Sequence, residues 1–197
     1  MRDYYDITSE GTGDVVSLAD AKLFLRVDSD ITDDDNLIAA LVQSSINIGQ
    51  SITKRDFVQN TYEGFFEDLC INNFVQAPFI EIRRSPLVSV DSVSYMSGGA
   101  WSVVDTADYQ IQRRAGFSRI LFFNSPNPDT DTAWKFKVDF VAGYDPSTDL
   151  PDAIKTAVKD HVNFMYENRG DVEAVGGVGL PMVAKTLYKQ FIINVGF

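Results

Sequence analysis

The stretch that decides the fold is "WKFKVDFVAGYDPSTDLPDAIKTAVKDHVNFMYENRG", residues 134–170. Its beginning alternates apolar with charged or polar residues, and one face holds Trp134, Phe136, Val138, Phe140 and Ala142. A period of two residues indicates a β-strand with one buried face. From Pro151 onward the apolar residues recur at helical spacing, and Gly170 is typical of a helix end. The chain therefore passes here from a β-rich region into a helical one.

The β-rich region extends back to residue 57. Short runs rich in Val, Ile, Phe, Tyr and Thr fill it, at residues 58–66, 79–82, 88–96, 101–104, 109–112 and 119–123. Turn residues separate several of these runs, as at "SGG" (97–99) and "NSPNPDTD" (124–131). Short alternating runs divided by turns predict antiparallel strands.

Two predicted helices precede this region. "SLADAKLFLRV" (17–27) begins with a capping-box spacing, in which Ser17 is the N-cap and Asp20 follows three residues later. The second helix is predicted from about residue 33 to residue 54, because its apolar positions keep helical spacing over five turns. Ser45 and Gly49 fall on its apolar face, and their small size would let another helix approach closely.

The acidic stretch "SDITDDDNLIAAL" (29–41) suggests either a metal-binding loop or the start of a helix. Counted from Asp28, a calcium-binding EF-hand loop would need glycine at position six and glutamate at position twelve. The chain has Asp33 and Ala39 there. The helix start needs only Thr32 or Asp33 as the cap, with two further aspartates at the positive end of the helix dipole. The sequence therefore favours a helix start.

Together these patterns predict an α+β protein, a bundle of about four helices with an antiparallel β-rich insertion between helices 2 and 3. Residues 17–56 and 145–197 form the helical body, and residues 57–144 form the insertion. Residues 1–16 are polar and acidic, and we expect them to be a flexible arm.

Composition limits the classes of function. The net charge of −11 over 197 residues argues against a DNA-binding role that depends on phosphate neutralisation. The single cysteine, Cys70, excludes an intramolecular disulfide and a cysteine-based zinc site. No run of apolar residues resembles a signal peptide or a membrane span. We expect a soluble intracellular or particle-associated protein without a membrane partner.

The search for catalytic chemistry yields little. "GLPMVAKT" (179–186) departs from the phosphate-binding loop because Ala184 replaces its second glycine. A helix from Pro181 to about Ile193, with Lys185 on its outer face, explains the stretch better. His161, the only histidine, lies on the apolar side of a predicted helix and is interpreted as a packed residue. A pair of carboxylates for glycoside hydrolysis remains an alternative, because acidic residues are abundant. We predict no catalytic residue, no metal and no cofactor.

The arginines are unevenly distributed along the chain. Five of the nine arginines fall in the β-rich insertion, at Arg83, Arg84, Arg113, Arg114 and Arg119. Paired strands would bring them to one rim, as a contact with the tail side or with an acidic partner such as the acidic N-terminal region of a neighbouring copy. The alternative is that they are solvated strand ends.

The order of these segments resembles the head–tail connector (adaptor, or head completion) proteins of tailed bacteriophages, in their longer form with a β-insertion. The similarity covers most of the chain. It includes "SLADAKLFLRVD", "DDDNLIAALVQSSINIGQSITKR", "IRRSPLVSVDSVSYMSGGAW", "VDFVAGYDPSTDLPDAIKTAVKDHVNFMYENRG" and "GLPMVAKTLYKQF". Two positions depart from the family pattern: Lys54 stands where Gly is typical, and Lys189 where Arg is usual.

The resemblance implies a non-enzymatic virion protein of the neck, present in the host cytoplasm before assembly. It implies a ring, commonly dodecameric, that lies under the portal protein, extends the DNA channel and offers a docking surface to stopper or tail completion proteins. DNA would pass through the channel without sequence-specific binding. The family's C-terminal segment often embraces the portal, which implies portal contacts at Lys185, Tyr188, Lys189, Phe191, Ile192 and Phe197.

Two other classes remain open. One is a carbohydrate-binding or hydrolytic β-domain carried on helices, for which Trp101 beside a glycine turn is the candidate aromatic platform, while Trp134 is interpreted as core. The other is a cytoplasmic binding module. A converging set of carboxylates would favour an enzyme, whereas an apolar C-terminal strip outside the core would favour the adaptor.

Overall fold

The computed structural model describes residues 2–72, 75–114, 116–168 and 180–193, without the side chains of residues 72, 75 and 76. These residues form two compact units. The sheet unit contains the described residues of 1–12 and 58–144, and the helical unit contains those of 13–57 and 145–193. Four α-helices and two antiparallel sheets occur in the described part of the chain, which confirms the predicted α+β class.

The sheet unit has nine strands in its described residues: β1 Asp3–Ser9, β2 Asn60–Phe66, β3 Cys70–Asn72, β4 Val75–Ile82, β5 Leu87–Ser97, β6 Ala100–Val103, β7 Tyr109–Arg113, β8 Ser118–Phe122 and β9 Phe136–Ala142. A five-stranded sheet has the order β1-β2-β9-β5-β6, and a four-stranded sheet has the order β3-β4-β8-β7.

Strand β9 lies at the centre of the five-stranded sheet and shows the predicted alternation of buried and outward side chains. Phe136, Val138, Phe140 and Ala142 are buried, whereas Lys137 and Asp139 lie on the opposite face. The Phe140 ring stacks on Tyr62 of β2 with centroids 5.3 Å apart. Ile80 and Ile82 of β4 and Ile120 and Phe122 of β8 complete the same apolar cluster. The core of this unit is thus built from residues at a period of two on both sheets.

The N-terminal residues differ from the predicted flexible arm. Asp3–Ser9 forms β1, which pairs antiparallel with β2 from Asp3 opposite Phe66 to Ser9 opposite Thr61. Tyr5 explains why this segment is an ordered strand, because its ring packs edge-on against Phe66 and Phe140 with centroids about 6 Å apart. An acidic segment can therefore be held by backbone pairing and one inward aromatic side chain.

The helical unit contains α1 Leu18–Leu25, α2 Asp35–Thr53, α3 Asp152–Glu167 and α4 Met182–Lys189. The predicted N-cap of α1 is confirmed, since the Asp20 backbone N–H donates to Ser17 Oγ at 3.1 Å. The cap of α2 was predicted one or two residues early, because Asp34 holds that position. α4 ends at Lys189, four residues before the predicted end. The predicted helix end at Gly170 and the glycine-rich stretch to Gly179 lie outside the described residues.

The small residues on α2 confirm the predicted close approach of helices. Ser45 Oγ donates to the Val158 carbonyl of α3 at 3.2 Å and lies 3.2 Å from His161 Nδ1. A Cβ atom on Gly49 would lie 2.7 Å from the Tyr188 hydroxyl oxygen of α4. Both partner helices therefore reach α2 at positions where a larger side chain would separate them. His161 is buried in this contact, which confirms its interpretation as a packed residue.

Candidate interaction surfaces

The acidic stretch folds around a buried ammonium group. Lys22 of α1 is only 5% exposed, and its Nζ donates to the Ser29 carbonyl at 3.2 Å, the Ile31 carbonyl at 2.6 Å and Asp35 Oδ1 at 2.8 Å. Backbone carbonyls and a carboxylate are also the groups that a calcium loop would aim at its ion. The side chain of Lys22 therefore supplies the positive charge that organises this loop.

The other aspartates of the stretch divide into two kinds. Asp34 accepts a hydrogen bond from the Tyr166 hydroxyl of α3, which ties the start of α2 to that helix. Asp28, Asp30 and Asp33 are exposed, and among the described residues their carboxylates have no hydrogen-bond or ion-pair partner. We call residues 28–33, with these three outward carboxylates, the acidic loop. No group of metal-ligating side chains occurs in the described residues.

Strand register brings the predicted arginines to one end of the four-stranded sheet. Ser118, the first residue of β8, lies opposite Ile82 at the end of β4 and opposite Arg113 at the end of β7. Arg83 and Arg84 follow β4 directly, Arg114 follows β7, and Arg119 is the second residue of β8. We call this set of five residues the arginine end.

Two of these arginines share one carboxylate. Glu81 Oε1 accepts from Arg83 Nε at 3.4 Å, and Glu81 Oε2 accepts from Arg119 Nη2 at 3.1 Å. The Arg119 guanidinium also lies over the Phe79 and Phe117 rings, 4.6 and 4.8 Å from their centroids. Aromatic faces attract a guanidinium and fix its plane. Arg119 is therefore a structural arginine, whereas Arg83 stays largely exposed.

The guanidinium groups of the other three arginines also make contacts within the sheet unit. Arg84 lies over the Tyr5 and Tyr62 rings, at 5.5 and 5.1 Å. Arg113 Nη2 donates to the Val88 carbonyl at 3.1 Å, and Arg114 lies 5.8 Å from the Phe117 centroid. Arg113 and Arg114 are exposed. The arginine end thus presents an ordered group of guanidinium charges.

The C-terminal residues predicted to contact a partner separate into core and surface. Tyr188, which was predicted as a portal contact, is fully buried in this structure. Its ring lies against Gly49 and stacks on Phe57 at 6.3 Å, and burial raises the pKa of its hydroxyl to about 12. Lys185 and Lys189 are exposed. Tyr188 is therefore the anchor of α4.

The chain after α4 returns to the end of α2. Arg55 Nε donates to the Phe191 carbonyl at 2.8 Å, and the Ile193 N–H donates to the Thr53 carbonyl at 3.2 Å. Phe191 is half-buried and Ile192 is exposed, while Phe197 lies outside the described residues. The largest apolar exposure on α4 is instead at its start, where Met182 is 76% and Val183 55% exposed. We call Met182, Val183 and Ile192 the C-terminal apolar strip.

An aromatic cluster on the outer face of the five-stranded sheet was not predicted. Phe65 lies 6.2 Å from Trp101 and 6.4 Å from Trp134, and Tyr4 lies 6.3 Å from Phe65. We call these four residues the aromatic patch; it holds both tryptophans of the chain. Trp134 was assigned to the core because it is in phase with Phe136, but β9 begins only at Phe136. The predicted platform at Trp101 is therefore part of a larger surface.

The chain was compared with known proteins. No protein-family model matches it, and no curated protein sequence gives a significant match. In the described residues every helix is too short or too polar to span a bilayer.

Solved structures do share the fold. One chain from the neck of an empty gene transfer agent (GTA) particle, computed with C6 symmetry, matches with a TM-score of 0.77 and 16% identity. A chain from the virion of a native GTA particle matches with a TM-score of 0.72 and 16% identity. A chain from the neck of a native GTA particle, computed with C12 symmetry, matches at 0.70 and 15%. Each match covers 98% of this chain and 97% of the other. Along nearly its whole length, this chain therefore has the fold of proteins found in gene transfer agent particles.

Proposed function

We propose that this protein is a structural adaptor in the neck of a tailed-phage-like particle. It forms a ring beneath the portal, extends the DNA channel and offers a docking surface to stopper or tail completion proteins. The observation that carries the proposal is the match of 98% of the chain to neck chains of another particle, at a TM-score of up to 0.77. A match that includes both units supports a shared architecture rather than one common motif.

The ring is supported by the symmetry of the matched particles, computed as C6 and C12. A closed ring uses two different surfaces on each copy, one for each neighbour. The net charge of −11 suits a channel wall, because negative side chains repel passing phosphates and discourage adhesion. The role is assembly through surfaces, and the proposal assigns no catalytic residue.

The portal-binding surface is proposed on and after α4. Lys185 and Lys189 provide exposed positive charge, and the C-terminal apolar strip provides exposed hydrophobic side chains. Exposed apolar residues rimmed by charge are common at protein interfaces. Tyr188 contributes indirectly, since it fixes α4 on Gly49 and so positions these side chains. Phe197 stays a proposed contact on the basis of the family resemblance alone.

Mixing the full chain with its portal ring and measuring the mass of the complex tests this proposal. We expect a stoichiometric complex with several adaptor copies per portal ring. The double change Met182→Ser, Val183→Ser should weaken the complex, whereas Thr186→Ser and Gln190→Ser, at exposed positions near the same helix, should not. A wild-type chain that stays separate from assembled portal rings would refute the adaptor role.

A carbohydrate-binding β-domain is the second candidate, because the aromatic patch includes the exposed rings of Tyr4 and Trp101, on which a sugar could pack. Both tryptophans lie in the patch, so intrinsic fluorescence reports on it directly. A saturable fluorescence change with oligosaccharides, abolished by Trp101→Ala, would support this candidate. Unchanged emission across a panel of cell-wall and capsular oligosaccharides would favour a protein partner at the patch.

A further inference from the structure

We propose that the arginine end of one copy binds the acidic loop of a neighbouring copy and so forms part of the contact that closes the ring. The inference rests on the proposed function, because it requires several copies in one assembly. It assigns a partner of stated chemistry to each surface: guanidinium groups on the sheet unit and carboxylates on the helical unit of the next copy.

The arginine end carries more positive charge than its surroundings neutralise. Glu81 accepts hydrogen bonds from Arg83 and Arg119. The Asp3 carboxylate forms a hydrogen bond with the Tyr5 hydroxyl, which lies beside Arg83. Arg113 and Arg114 are exposed and have no carboxylate partner in the described residues. Ring stacking and carbonyl contacts hold these side chains in place, so less conformational entropy is lost when an anion binds.

The acidic loop has the complementary properties. Its backbone is fixed from inside by Lys22, which holds the Ser29 and Ile31 carbonyls. Its outward carboxylates, Asp28, Asp30 and Asp33, are exposed and unpaired among the described residues. A preorganised loop with clustered negative charge fits an ordered group of guanidinium groups, which bind carboxylates with two hydrogen bonds each.

A second copy is favoured over other acidic occupants by the charge pattern of the chain. At a net charge of −11, like copies repel overall, so self-assembly needs a local region of opposite sign. The arginine end provides that region with five of the nine arginines. A heterologous ring contact also requires two unlike surfaces on one chain, which the arginine end and the acidic loop supply.

Charge reversal with cross-complementation tests the inference. The first variant carries Arg83→Glu, Arg113→Glu and Arg114→Glu, and the second carries Asp28→Lys, Asp30→Lys and Asp33→Lys. All six positions are exposed, so both variants should fold with the circular dichroism of the wild-type chain. Each alone should associate at least about tenfold more weakly than wild type, because like charges then face each other. Mixed in equal amounts, they should assemble again as alternating copies.

A matched control reverses three exposed acids elsewhere, Glu10→Lys, Asp131→Lys and Glu167→Lys. It makes the same change in net charge as the acidic-loop variant, so it should not reproduce that variant's loss of association or its recovery on mixing. Self-association is measured by sedimentation velocity at low and high salt and by native mass measurement with portal rings present. Wild-type association should weaken as salt rises.

The possible outcomes separate this inference from the adaptor proposal. Portal-bound rings that form equally well with either reversed variant overturn the inference and leave the adaptor role intact. Recovery on mixing, in a chain that never binds the portal, supports the inference and refutes the portal role. The arginine variant alone could lose binding to DNA or to another acidic protein, with no recovery on mixing. That result overturns the inference in favour of that partner. A wild-type chain that stays monomeric at low salt, at high concentration and with the portal also overturns it.

Discussion

The two units of this chain are stabilised in different ways. In the sheet unit, aromatic and β-branched side chains from both sheets form one apolar cluster. The buried apolar surface is therefore distributed over many similar contacts. In the helical unit, several decisive contacts are polar or depend on a small residue: the Lys22 ammonium, the Ser45 hydroxyl and the close approach at Gly49. We therefore expect the helical unit to be the more sensitive of the two to single substitutions at these positions.

Tyr188→Ala should have the largest effect. Removing a fully buried ring costs about 3–5 kcal/mol of unfolding free energy. Urea unfolding should show it as helical circular dichroism lost at lower denaturant than tryptophan fluorescence, because both tryptophans belong to the sheet unit. Lys189→Ala, at an exposed position on the same helix, should change stability by less than about 0.5 kcal/mol. Coincident loss of both signals would mean that the units unfold together.

Lys22→Met should cost about 2–4 kcal/mol. The change leaves Asp35 and two backbone carbonyls without their ammonium donor. Lys185→Met, at an exposed position on α4, is the matched control and should be nearly neutral. Hydrogen exchange at residues 28–35 should accelerate in the Lys22 variant. Unchanged exchange there would show that Lys22 does not organise the loop.

Alkaline pH should weaken the helical unit through Tyr188. Its pKa is about 12 in the folded chain against 10.0 for a free tyrosine, so the folded state keeps the proton that the unfolded state loses. The contribution is complete below pH 10 and is lost as the pH rises from there to about 12, a loss of roughly 2–3 kcal/mol. Tyr188→Phe should remove this part of the pH dependence. Parallel pH profiles for wild type and variant would contradict the assignment.

Gly49→Ala should destabilise the helical unit by about 1–2 kcal/mol. Alanine favours a helix over glycine by about 1 kcal/mol, but its methyl group would lie 2.7 Å from the Tyr188 hydroxyl oxygen and 2.8 Å from Phe57 Cε2. Denaturant titration measures the net change in the free energy of unfolding. Asn47→Ala, on the exposed side of α2, is the control. A more stable Gly49 variant would show that α4 moves away at little cost.

Arg119→Gln should have the smallest effect, about 1 kcal/mol. The pair with Glu81 is partly buried, and the guanidinium also loses its contacts with Phe79 and Phe117. Tryptophan fluorescence during urea unfolding reports it, because the residue lies in the sheet unit. Arg113→Gln at the same end should be neutral to stability. Equal losses in the two variants would argue that the stacking adds nothing.

Sequence patterns predicted the periodic part of this fold well. The alternation in 136–142 gave the buried face of β9, the Ser17 spacing gave the cap of α1, and two small residues indicated where helices meet α2. Each of these predictions rests on the spacing of residues close in the chain, although the helices that meet α2 come from distant positions. Short-range spacing therefore carried enough information to place them.

The contacts that the sequence did not reveal join residues far apart in the chain. Strand β1 was missed because its order depends on pairing with β2, more than fifty positions away, and on Tyr5 reaching Phe140. Tyr188 was predicted as a portal contact from the family resemblance, and helical spacing alone does not tell which apolar residue meets Gly49. The five arginines were predicted to share one rim, but the strand register that brings them together depends on long-range pairing that no local pattern specifies.

The Lys22 ammonium group gives the acidic loop a positive charge that does not depend on a bound metal ion. Calcium-dependent loops lose their shape when the ion is diluted or chelated. Lys22 is covalently attached and cannot leave. A chelator such as EDTA should therefore leave this loop, and any assembly that depends on it, unchanged.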